Sequence, residues 1–153
     1  MPGRHHWQHR FRANVCRWTL PREAILDVLS RSSKHKSAKE IYASLYSLYP
    51  GIGLTTVYRT LELLSRLGFV QKVTAGDGQG RYELRSENKK DHHHHLICTS
   101  CGKIVDYRDF VQEELDLVKK TEEALAKKHN FQIQDHNIEF LGLCEKCRQA
   151  AHD

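Results

Sequence analysis

The 153-residue chain is poor in aromatic residues, which make up 8% of it, and hydrophobic residues of all kinds reach only 39%. That supply fills modest cores and argues against one large enzyme core. No apolar run approaches the roughly 18 residues that span a bilayer, and residues 1–16 are too polar and basic for a secretory leader. A cytoplasmic protein with no membrane partner is therefore expected. Cysteine is scarce and odd in number, five in all, and four of the five form two Cys-x-x-Cys pairs. In a cytoplasmic chain such pairs point to metal ligation more than to disulfides. Cys16 stands apart and reads as a small apolar helix residue. The chain also lacks a His-Glu-x-x-His signature, so a metallohydrolase has no motif that places its general base.

What the chain does have is an uneven distribution of charge. Residues 1–90 hold 16 Lys and Arg against 7 Asp and Glu, a balance of +9, whereas residues 91–153 hold 8 against 12, a balance of −4. A basic first half fits a polyanion such as nucleic acid, because neutralised phosphates release their condensed counterions. A well-solvated surface is the plainer reading of the same charges.

A first helix is expected over about residues 8–16. Thr19 followed by Pro21 then reads as a helix start, with Ala24, Ile25, Val28 and Leu29 at helical spacing. Ser37 and Glu40 form a capping-box pair before a helix whose buried face is Ala38, Ile41, Tyr42, Leu45 and Leu48. The third and strongest helix spans 55–67: Val57, Thr60, Leu61, Leu64 and Leu67 cluster on one side, and Thr55, Arg59, Glu62 and Arg66, flanked by Tyr58, occupy the other. Gly68 suits its C-terminal cap. Residues 69–73 and 81–84 read as strands around a glycine-rich turn. Three helices and a hairpin describe a winged helix, mainly α with a β-hairpin wing, over residues 1–85. A polar hinge is placed at 86–91, where the charge changes sign. The remainder, 92–153, reads as a small α+β domain with strands at 93–98, 103–107 and 131–142 and a helix over 110–129, and its size calls for a staple.

Cys98, Cys101, Cys144 and Cys147 supply one. Each Cys-x-x-Cys pair offers two thiolates on a tight turn, and two turns brought together complete a tetrahedral sulfur shell for structural zinc, with no open position for a substrate. A thioredoxin-like redox pair and an iron–sulfur cluster are the competing readings. The run His92-His93-His94-His95 leads directly into the first pair. On a strand, alternate residues share a face, so His93 and His95 point one way and His92 and His94 the other. That alternation leaves room for two metal sites on opposite faces, with a purification tag or a solvated surface as the alternatives.

Five ordered blocks of residues, together with both cysteine pairs, resemble the ferric uptake regulator family over residues 19–147. They are His35–Tyr42, Thr55–Leu61, Arg81–Glu83, His92–Cys98 and Cys101–Asp106. The resemblance implies a transcriptional repressor whose second domain dimerises. The helix over 55–67 would enter the major groove of operator DNA, with contacts from Thr55, Thr56, Tyr58 and Arg59. The homodimer would read two halves of a palindromic duplex, with the hairpin along the backbone. The family's regulatory metal site maps onto His35, Glu83, His93, His95 and Asp106, so one ion would tie both domains across the hinge. Its second site maps onto His92, His94, Glu113 and His136, where His94 departs from the aspartate usual in the iron-sensing branch.

The regulatory set contains no thiolate, which disfavours a zinc sensor, and imidazole with carboxylate suits Fe(II) or Mn(II). Asp106 resembles the peroxide-sensing branch and Glu83 does not, so the alternatives of an iron-, peroxide- or zinc-responsive regulator stay open. In the peroxide branch a histidine ligand, here His35 or His93, would be oxidised. A metal-storage protein built around the histidine run remains a further alternative, although storage has no use for a recognition helix.

Overall fold

A computed structural model describes residues 17–75, 78–85 and 93–150. The helix expected over 8–16, Cys16, His92 and the hinge at 86–91 lie outside the described residues. Those residues fall into two compact units, one of 17–74 with 78–85 and the other of 75 with 93–150.

In the first unit, helix α1 (Leu20–Ser30) begins after Thr19, whose backbone is extended but whose side chain makes no capping hydrogen bond. The Thr19 carbonyl accepts from the Glu23 N–H at 3.1 Å instead, and Pro21 supplies the fixed φ that suits a first turn. Helix α2 (Ala38–Tyr46) carries the expected capping box: the Glu40 N–H donates to Ser37 Oγ at 3.2 Å, and the Ser37 N–H donates to Glu40 Oε2 at 2.7 Å. These bonds from Ser37, assisted by Arg81 and Lys36, hold the Glu40 carboxyl below its ordinary range. Leu48 departs from expectation. It is 73% exposed, because α2 ends at Tyr46 and the chain turns before reaching it.

Helix α3 (Leu54–Arg66) buries Val57, Thr60, Leu61 and Leu64, as the spacing predicts. It closes in a Schellman motif, in which the Phe69 N–H donates to the Leu64 carbonyl at 2.9 Å and the Gly68 N–H to that of Ser65 at 3.1 Å. Gly68 sits at φ +71°, which disfavours any residue with a Cβ. The three helices enclose a core of Ile25, Leu26, Ile41, Leu45, Leu61 and Leu64 with Phe69 beneath. Burying a side chain of this size contributes about 1.5–3 kcal/mol.

The hairpin of β2 (Val70–Thr74) and β3 (Gly80–Leu84) forms as expected, but a third strand joins it. Residues of β1 (Lys36–Ser37) pair antiparallel with β3, Lys36 opposite Tyr82 and Ser37 opposite Arg81, giving the order β1-β3-β2. Two residues are too few to carry an alternating pattern, which is why the sequence did not show it.

The second unit is built on strand β4 (His94–Cys98), flanked by antiparallel β5 (Ile104–Tyr107) and by parallel β6 (Glu139–Gly142). The long crossover that a parallel pair requires is supplied by β5 and helix α4 (Val111–His129). Only the last four residues of the strand expected over 131–142 are extended and paired. Gln132, Gln134, Asp135 and Asn137 are poor strand formers, and Asn130, at φ 49°, turns the chain out of α4. A short helix α5 (Glu145–Ala150) follows.

Candidate functional site

The four cysteines converge through the sheet register. Cys98 ends β4 opposite Gly142 of β6, so Cys144 lies two residues beyond its strand neighbour. Between β4 and β5 the Gly102 N–H returns to the Cys98 carbonyl at 3.0 Å, with Gly102 at φ +70°, and this tight turn carries Cys101. The second pair differs from expectation in lying not on a turn but at the start of α5, where the Arg148 N–H donates to the Cys144 carbonyl at 2.9 Å. All four sulfurs lie within 4.8 Å of one another, with Cys101 Sγ and Cys144 Sγ 3.7 Å apart.

Hydrogen bonds and neighbouring thiols shift the protonation of Cys98 and Cys147 in opposite directions. Backbone N–H groups of Cys101 and then Cys144 draw Cys98 down to about 6. Cys147 receives a hydrogen bond from Ser100 that pulls it down, but bonds shared with the Cys144 and Cys101 thiols and burial outweigh it and push it up to about 12. Four sulfurs this close share protons unless a cation replaces them, and such a donor set suits a dication of zinc's softness. Zinc uptake near neutral pH is therefore expected to release thiol protons, and zinc affinity to fall as pH is lowered. Calorimetry in two buffers of different ionisation heat measures this, and no proton release would count against four thiolate ligands.

Among the described residues of the histidine run, His93 and His95 come together as alternation demands. In the second unit His93, His95 and Asp106 each offer a ligand atom within 4.8 Å of the others, with His95 Nε2 3.8 Å from Asp106 Oδ1. The antiparallel register sets His95 directly opposite Asp106. In the first unit His35 Nε2 lies 3.3 Å from Glu83 Oε2. Strand β1 accounts for that contact, because pairing Lys36 with Tyr82 sets the preceding His35 next to Glu83.

On the other face His94 is 2% exposed, and its Nδ1 lies 2.5 Å from Glu114 Oε2. Tyr107 donates to the same carboxylate at 2.9 Å, and burial, with Glu114 accepting its proton, pushes the phenol up to about 12. His136 joins this group through its ring, 6.2 Å from that of His94, and pairs with Glu122 at 3.0 Å. The resemblance places Glu113 here, whereas the structure brings Tyr107 and Glu114 to His94 and Glu122 to His136. Helical arithmetic had the signal, since Glu114 and Glu122 follow the buried Val111 by three and eleven residues and share its face, whereas Glu113 does not.

In the first unit Thr55, Thr56, Tyr58 and Arg59 all lie exposed on α3, on the side away from the core. The description "Ferric uptake regulator family" matches residues 13–141.

The chain belongs to the ferric uptake regulator family.

It is 42% identical to the ferric uptake regulation protein of Bacillus subtilis over 130 residues, 84% of this chain and 83% of that one. It is 33% identical to the peroxide-responsive repressor PerR of Staphylococcus epidermidis over 133 residues, 87% of this chain and 82% of that one. Among solved structures, the Helicobacter pylori ferric uptake regulator, described with three functional metal binding sites, matches with a TM-score of 0.67 at 25% identity, covering 94% of this chain and 90% of its own. As this family's architecture implies, a winged helix precedes an α+β domain with a four-cysteine and a His/Asp group. No helix among the described residues is long and apolar enough to cross a membrane.

Proposed function

We propose that this family member is a metal-dependent transcriptional repressor that binds palindromic operator DNA in the cytoplasm as a homodimer. The observation that carries the reading is the separation of two donor sets in one small unit. Four thiols gather at one site, and His93, His95 and Asp106, without sulfur, gather at another. A closed thiolate shell supports folding, whereas imidazole and carboxylate suit an exchangeable Fe(II) or Mn(II) ion. Cys98, Cys101, Cys144 and Cys147 would hold structural zinc. His35 and Glu83 would join His93, His95 and Asp106 as regulatory ligands. A bound ion would supply the positive charge that these carboxylates and imidazoles share, and the exposed face of α3 would present Thr55, Thr56, Tyr58 and Arg59 to the major groove. A second site around His94 and His136 belongs to the same reading, with Glu114 better placed than Glu113. The reading has no catalytic step.

The likeness to a peroxide-responsive repressor and the aspartate at 106 favour a second reading, in which the same site senses peroxide. Anaerobic titration of Fe(II), Mn(II) and Zn(II) into the zinc-retaining protein, followed by fluorescence anisotropy of a palindromic duplex, tests both. The effective metal is expected to raise DNA affinity about 5- to 150-fold, the usual range of coupling between two sites. Loss of that gain on peroxide treatment of the iron form selects the second reading. No gain with any metal would rule out metal-dependent repression through that duplex.

A further inference from the structure

A cleft of about 450 Å³ opens in the first unit between α3, the start of α2 and the hairpin. Lys39, Tyr58, Glu62, Lys72, Gln79 and Tyr82 line it, so it borders the exposed side of α3. Lys72 reaches it from β2 across an unusual gap. A Cβ built on Gly80, on the neighbouring strand, would lie 2.6 Å from Lys72 Cε and 3.6 Å from Cδ. The lysine stem thus occupies the space that any side chain at 80 would fill. The strand itself could accept alanine, since the atom in the way is the far end of a flexible side chain, but the lysine would have to move.

The charges of the lining suit an anion of low charge. Lys39 and Lys72 against Glu62 leave one net positive charge, which matches the single negative charge of a phosphodiester better than the multiple charge of a small polyphosphate. Tyr58 and Gln79 add O–H and N–H donors suited to its oxygens. Where a helix occupies the major groove, the sugar–phosphate strand runs alongside it, and contacts there fix register without reading sequence. We propose that Lys72 binds a backbone phosphate of the DNA that α3 reads, and that Gly80 is the bare position that lets it. This assignment rests on the DNA-binding reading above.

The test uses the full-length Mn(II)-loaded protein and a duplex that the wild type has selected from a random library. Binding is followed by anisotropy from about 50 to about 200 mM salt, with circular dichroism as a check on folding. Each lost phosphate contact lowers the slope of log affinity against log salt by about 0.9. Over that fourfold range a Lys72→Ala dimer is expected to lose about 12-fold less affinity than the wild type loses. Its weakening should be equal on the selected duplex and on an unrelated one of the same length. Lys72→Arg should restore the wild-type slope, and Gly80→Ala should shift the slope in the same direction as Lys72→Ala. An unchanged slope in Lys72→Ala, or a loss confined to the selected sequence, overturns the phosphate assignment, and a wild-type slope in Gly80→Ala overturns the role of the glycine. If the wild type selects no duplex, the DNA-binding reading falls and this assignment falls with it.

Discussion

Cys98→Ser is expected to unfold the second unit while leaving the first folded. The two units differ sharply in what water exclusion can do for them. Among the described residues, the first encloses a continuous core with Ile25, Ile41, Val57, Leu61, Leu64 and Phe69 fully buried. The second buries few large apolar side chains beyond Ile97 and Val111, and two of its most buried residues are His94 and His95. Its longest helix, α4, has 19 residues and buries only Val111. A unit so thinly packed depends on a cross-link. In zinc-finger peptides the metal contributes about 10–16 kcal/mol near neutral pH, as much as the whole net stability of an ordinary domain. The wild type should retain zinc through dialysis and show two melting transitions. The serine variant should hold no zinc and keep only the transition of the first unit. Hydrogen exchange decides the matter: wild-type protection of the β4 amides in the zinc-free variant would mean that packing, not metal, holds the sheet.

His93→Ala is expected to abolish the metal's effect on DNA affinity without abolishing DNA affinity itself. His93 stands at the entry to β4, beside His95 and Asp106 and remote in sequence from the exposed face of α3. Its removal leaves the zinc cluster and the first unit's core untouched. The gain on adding metal, about 5- to 150-fold in the wild type, should collapse to about one, and residual binding should match that of the metal-free wild type. The same anisotropy titration measures this. A variant that still gains affinity with the wild-type metal preference would show that the switch lies elsewhere, with the His94 group next to be mutated.

How much of this was legible in the sequence follows from the range of the interactions. Helix α3 showed because its apolar period and its terminal glycine are local, and so is the Ser37 and Glu40 capping box. The cysteine pairs showed because their spacing belongs to the chemistry of the ligand. What stayed hidden depends on distant partners. Strand β1 exists only because β3 lies beside it, and β6 only because its register with β4 brings Cys144 to Cys98. Glu113 came from the resemblance, whereas the residue brought beside His94 is Glu114, because helical phase is set by where Val111 is buried. The strand expected over 131–142 pairs only over its last four residues, because only these meet β4.

The parallel pairing of β4 with β6 also dictates an order of events as the chain is made. The first unit has all its core residues in hand by Leu84 and can fold while synthesis continues, as N-terminal domains commonly do. Cys98 and Cys101 emerge next, but the thiol set cannot close until Cys144, 46 residues after Cys98, and then Cys147 have left the ribosome. In that interval the two early thiols are exposed to oxidants and to competing metals. The half proposed to read DNA is therefore finished well before the half proposed to govern it.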